Sequence, residues 1–82
     1  MPVFDEVVKV GLVDGQAKHG LLGWRRGRPF SVDTEAAARH LTQHKAGRDA
    51  DPDSKLSPLA HAIFRLAIVR DREIEGVGDD DR

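Results

Sequence analysis

The sequence contains no cysteine, so no disulfide can staple the fold and no thiolate can hold a metal. It also lacks any run near the roughly 20 apolar residues that span a bilayer. Its start, Met-Pro-Val-Phe-Asp-Glu, shows no basic segment followed by an apolar stretch, so it reads as having no signal peptide. These absences predict a soluble, cytoplasmic protein with no membrane partner. No glycine-rich phosphate loop and no nucleophile constellation is legible either. At 82 residues the chain allows one domain with a modest core. With disulfides and thiolate sites excluded, self-association is the expected supplement, which predicts a homo-oligomer.

The net charge of -1 hides a strong asymmetry. Between Lys18 and Arg48 stand seven basic residues (Lys18, Arg25, Arg26, Arg28, Arg39, Lys45 and Arg48) against Asp33 and Glu35, a net of +5. His19, His40 and His44 add positive charge below neutral pH. Acids gather at the N-terminus, in Asp49-Ala50-Asp51-Pro52-Asp53, and in Asp79-Asp80-Asp81. A basic middle attracts an anion. The plainer account, a solvated charged surface, needs no ligand.

The pattern predicts an all-α, small three-helix domain over 1–76, completed by oligomerisation, and a disordered acidic tail over 77–82. Ser57-Pro58 reads as an N-cap with proline at the first helical position, and Gly76 and Gly78 as the stop. Between them Leu59, Ala62, Ile63, Leu66, Ala67 and Val69 follow helical spacing. Phe64 and Ile68 form a second apolar strip, so this helix should be buried on two sides, with a partner subunit as one wall. A middle helix is expected over about Asp33 to Ala46, capped by Asp33 or Ser31 and stopped at Gly47. Its apolar face is read as Ala37, Leu41 and Val32, with Arg39, His40, His44 and Lys45 opposite. The first segment is ambiguous: Phe4, Val7, Val8 and Leu12 have helical spacing, whereas Val7 to Val10 suit a strand and Asp14-Gly15 a hairpin turn. Gly20 to Phe30 reads as a loop holding the only Trp and three Arg.

Several motifs compete for meaning. Arg26-Gly27-Arg28-Pro29 has the core of an AT-hook suited to the narrow minor groove, but Trp24 and Phe30 bracket it like anchors, so DNA is a disfavoured partner. His40 and His44 are spaced for a shared metal, yet no cysteine completes a zinc site. Asp49-x-Asp51-x-Asp53 opens like a calcium loop and fails the rest of that pattern: Ser54 replaces the glycine and Ala60 the bidentate Glu. An acidic turn is the sufficient reading. His61 and Arg65 lie one turn apart on an otherwise apolar helix, where the arginine needs an anion, either a carboxylate of the chain or a ligand phosphate. Magnesium-dependent cleavage of a nucleoside triphosphate commonly uses Glu residues one helical turn apart; neither Asp5-Glu6 nor Glu35 has one.

Phe4-Asp5-Glu6-Val7-Val8, Ala17-Lys18-His19-Gly20 and Gly23-Trp24-Arg25-Arg26-Gly27 resemble the start of the phage dATP/dGTP diphosphohydrolase-like family. The likeness continues through Ala37-Ala38-Arg39-His40-Leu41, Gly47-Arg48-Asp49-Ala50-Asp51-Pro52-Asp53-Ser54 and Leu59-Ala60-His61-Ala62, covering about residues 4 to 69. The resemblance implies a helical first segment and a purine deoxynucleotide as ligand. The chain departs from the family pattern at His19 (tyrosine), Gly23 (asparagine), Arg48 (an acid), Pro58 (histidine) and Arg65 (near an asparagine). Two of these changes remove polar ligands and two add positive charge, which favours an anion binder over a metal-dependent hydrolase.

The resulting expectation is a nucleotide-binding protein that sequesters a phosphorylated small molecule, a sponge-like binder of a nucleotide immune signal. Trp24 would stack on the base, while Lys18, Arg25, Arg28, Arg39 and Arg65 take phosphate. His19 is grouped with them, and His40, His44 and His61 would hydrogen-bond phosphate or base. No cofactor is expected on that reading. The runner-up is a diphosphohydrolase with Mg or Mn held by Asp49, Asp51 or Glu35. The third is a DNA-binding accessory protein.

Overall fold

A computed structural model describes residues 1–15 and 29–82. Among the described residues the fold is three helices with no sheet: α1 (Pro2–Val10), α2 (Phe30–Lys45) and α3 (Pro58–Glu75). A π-helical turn, Gly11–Gly15, extends α1. The all-α, three-helix expectation therefore holds, and the first segment is a helix. α3 is the central element, with α1 packed on one side of it and α2 on another.

Local chemistry sets the ends of α3. The Ser57 hydroxyl accepts the Leu59 N–H at 3.2 Å, and Pro58 follows at the position where its missing N–H costs nothing. At the other end Gly76 adopts φ 70° and its N–H donates to the Arg72 carbonyl. That left-handed turn strongly favours glycine.

Two walls cover α3, and both come from the same chain. Toward α1, Ala60, Phe64 and Ile68 bury against Val10, with Val7 and Leu56 alongside. Gly11 permits this approach: a Cβ there would lie 2.8 Å from Phe64 Cε1. Toward α2, the buried residues include His61 and Arg72. The strip Leu59, Ile63 and Leu66, which periodicity assigns to the core, is exposed instead.

α2 also differs from expectation in its start and its face. It begins at Phe30, three residues before Asp33, and Asp33 is fully buried rather than a cap. The packed stripe is Phe30, Asp33, Ala36, Ala37 and His40, while Val32 and Leu41 are exposed. His40 thus lies on the packing side, not opposite it, because it follows Ala36 by one turn and Asp33 by two. The small Ala36 and Ala37 let α3 come close.

Residues 77–82 lie against the start of α2. The Phe30 N–H donates to the Asp79 carbonyl at 2.8 Å, and Pro29 pairs with Asp79 in an isolated bridge. Pro29 is the residue preceding α2 and has no side-chain acceptor for the free N–H groups there. Asp81 fills that role: its carboxylate accepts the Ser31 N–H at 3.0 Å and the Ser31 hydroxyl at 2.5 Å.

Candidate functional site

The interface between α2 and α3 is built on charge. Asp33 has no exposed surface; its Oδ1 accepts from Arg65 Nη1 at 2.9 Å and its Oδ2 from Arg72 Nη1 at 2.7 Å. Taking one carboxylate and two guanidiniums from water is expensive, and only close pairing offsets it. Here one carboxylate bridges two guanidiniums, one oxygen to each. Asp33 also sits in the first turn of α2, where a negative charge suits the helix dipole. Of the two anions open to Arg65, the structure supplies the carboxylate. Arg72 is the residue that sequence reasoning missed. Its signal was its place seven residues beyond Arg65, on the same stripe of the helix.

A second polar cluster forms where the last turns of α2, the first turns of α3 and the intervening loop meet. The rings of His40 and His61 stack with centroids 4.5 Å apart and planes 16° from parallel. His61 Nε2 and the Ser54 hydroxyl share a hydrogen bond of 2.6 Å, and that hydroxyl also accepts the Leu56 N–H at 3.1 Å. His40 Nδ1 lies 3.1 Å from Gln43 Oε1 and 3.9 Å from Asp51 Oδ2. Asp51 Oδ1 accepts the N–H groups of Asp53 and Ser54 at 2.9 and 3.1 Å. The acidic turn read from Asp49 to Asp53 is therefore a loop closed on the Asp51 side chain, further tied by Lys55 N–H to the Asp51 carbonyl and Asp51 N–H to the Leu56 carbonyl.

Burial by itself would raise the Asp51 pKa. The backbone N–H groups of Ser54 and Asp53, helped by His61 and His40, outweigh it and hold the carboxyl below its ordinary 3.8. A lowered folded pKa contributes stability above the unfolded value and loses it as pH falls through the folded one. Asp51→Ala should therefore cost about 1–3 kcal/mol at neutral pH, the range for stranding buried donors. The gap to wild type should narrow below pH 3.8. Urea unfolding at pH 7 and pH 3 measures both; a gap independent of pH would refute the electrostatic part.

The predicted ligand contacts divide three ways. Lys18, His19, Trp24, Arg25 and Arg28 lie outside the described residues, as does most of the Arg26-Gly27-Arg28-Pro29 motif. Arg39 and His44 are exposed on α2, with Lys45 and Arg48 nearby in sequence and also exposed. His40, His61 and Arg65 are engaged with partners inside the fold. His40 and His44 do not act as a pair, since the first packs inward and the second faces solvent.

A hydrolase reading implies Mg or Mn, and the described carboxylates do not fit such an ion. Asp33 is enclosed by arginines and Asp51 is committed to backbone N–H groups, while Glu35 and Asp49 are exposed. Among the described residues no three His, Asp or Glu side chains gather as a metal site. Nor, among the described residues, is any helix long and apolar enough to cross a membrane.

Three helices with a buried carboxylate–guanidinium trio and a histidine–aspartate loop lock define a small all-α domain whose polar residues first serve its own packing. Residues 1–82 match the family described as dATP/dGTP diphosphohydrolase, N-terminal, and the chain belongs to that family. The pieces that carried the resemblance meet in space: His40, Asp51, Ser54 and His61 form one cluster. Comparison with the curated proteins and with the solved structures gave no match.

Proposed function

We propose that this domain binds a phosphorylated purine deoxynucleotide and holds it intact, as a homo-oligomer. The observation that carries the reading is membership, over the whole chain, of a family named for enzymes acting on dATP and dGTP. The basic middle of the sequence supports it by offering positive charge to the phosphates. Trp24 stacks on the base; Lys18, His19, Arg25 and Arg28, with Arg39 and His44 from α2, contact phosphate. His40, His61 and Arg65 act as the frame behind those contacts, because each already has a partner in the chain. The exposed Leu59, Ile63 and Leu66 strip is the surface proposed for self-association. In a phage-infected cell such a protein would serve as a sponge for a nucleotide immune signal.

Cleavage is the second reading, favoured by the family's own name. Incubating concentrated protein with dGTP, dATP and a panel of cyclic nucleotides in the presence of Mn²⁺ separates the two. Mass spectrometry of the bound and free fractions should find an intact nucleotide at one per subunit or per oligomer. Monophosphate and pyrophosphate would replace this proposal with the hydrolase. No retention and no turnover would remove both.

A further inference from the structure

We propose that the groove between α1 and α3 is a self-docking seat, which receives Phe4 of a second copy of this chain as the two α1 helices pair antiparallel. This adds a second face to the self-association proposed above. It depends neither on nucleotide binding nor on the Leu59, Ile63 and Leu66 strip. α1 is apolar on two sides. Its inner side, with Val7 and the fully buried Val10, packs on α3. A second stripe, Phe4, Val8 and Leu12, repeats every four residues and so runs along one face. These three are 63, 60 and 50% exposed. One apolar side is enough to fix a helix to its own domain; a second one facing water marks a contact surface.

The groove beside that stripe sets the shape of what it receives. It offers about 290 Å³ between Val8, Gly11 and Leu12 on one wall and Phe64, Ala67 and Ile68 on the other, and it is apolar but for Asp71. A small-molecule site places several polar groups to orient its ligand, and this lining has almost none. An apolar cavity of roughly 150 Å³ already holds a benzene ring, so a phenyl side chain fits here. Phe4 is the exposed phenylalanine among the described residues.

Two features select a second copy and fix its direction. The groove lies along the second half of α1 and the turn that follows, whereas Phe4 stands near the start of the helix. Laying two α1 helices antiparallel about a two-fold axis near Val8 brings each Phe4 to Gly11 and Leu12 of the other copy, and both grooves fill at once. A parallel pair would set Phe4 beside Phe4 and leave both grooves unfilled. The charges agree. Asp5 and Lys9 are exposed, one turn apart, and border the same edge of the stripe. In an antiparallel pair that edge meets itself reversed, so Asp5 of each copy faces Lys9 of the other.

The test follows the full chain by sedimentation velocity in a background carrying Leu66→Lys, an exposed position whose charge silences the α3 strip. That protein should still dimerise. Adding Phe4→Ser should weaken the dimer about thirtyfold, the scale of a buried aromatic anchor, with the circular dichroism spectrum unchanged. Lys9→Asp and Asp5→Lys, each in the same background, should weaken self-association about tenfold, and mixing the two variants should restore a heterodimer. A Leu66→Lys chain that stays monomeric to about 1 mM means that something else covers the groove, residues 16–28 of the same chain or a different protein, and overturns the proposal. So does a mixture that associates no better than its components, or a Phe4→Ser dimer as tight as its parent.

Discussion

Replacing Asp33 with alanine is expected to remove about 3–5 kcal/mol of stability, the range found when one member of a buried charge network is deleted. Arg65 and Arg72 would be left within the α2–α3 interface without the carboxylate that binds one nitrogen of each. For a domain of this size the total stability is about 4–12 kcal/mol, so the variant sits near or past the edge of folding. Urea titration followed by circular dichroism reads the loss. The informative control replaces Asp33, Arg65 and Arg72 together with apolar residues of similar volume. Such exchanges are often neutral or better, so the triple variant should recover most of what the single one loses. A single variant within about 1 kcal/mol of wild type would show that the trio does not anchor the interface.

Phe64→Ala should produce a loss of similar size, about 3–5 kcal/mol, but by a different route. Among the described residues, the cluster that joins α1 to α3 contains Val10, Ala60, Phe64 and Ile68, and Phe64 is the aromatic one. Its ring lies against the backbone of Gly11 closely enough to leave no room for a Cβ. Hydrogen exchange should therefore show α1 losing protection before α2 and α3 do. Simultaneous loss in all three helices, or a cost below about 1 kcal/mol, would contradict this view of the core.

The two predictions mark where the sequence was readable and where it was not. Helix α3 was legible because its ends carry strong local signals, Ser57-Pro58 and Gly76, and those act whatever the tertiary context. The Phe64 and Ile68 strip was legible too, as apolar residues one turn apart. The inner face of α2 was not. A count of apolar residues points to Val32 and Leu41, yet the buried stripe contains an aspartate, two alanines and a histidine. Asp33 and His40 can be inside only because Arg65, Arg72 and His61 face them, and periodicity within one helix cannot see the other. Arg65 was recognised as needing an anion; which anion depended on a residue 32 positions away. The candidate ligand contacts were legible as a charge imbalance, which says that an anion is attracted but not where it rests.

The stacked histidines and the aspartate trio have a consequence for helix alignment. They lie about two turns apart along α2, and each pairs with its own part of α3. Sliding α3 by one turn, about 5.4 Å, would break both at once and leave charge facing hydrocarbon. A seam of leucines would tolerate that slip with a small change in contact; this one has a single in-register solution. The domain thus gives up some adhesive strength for an interlock, and its two long helices are keyed to one relative position.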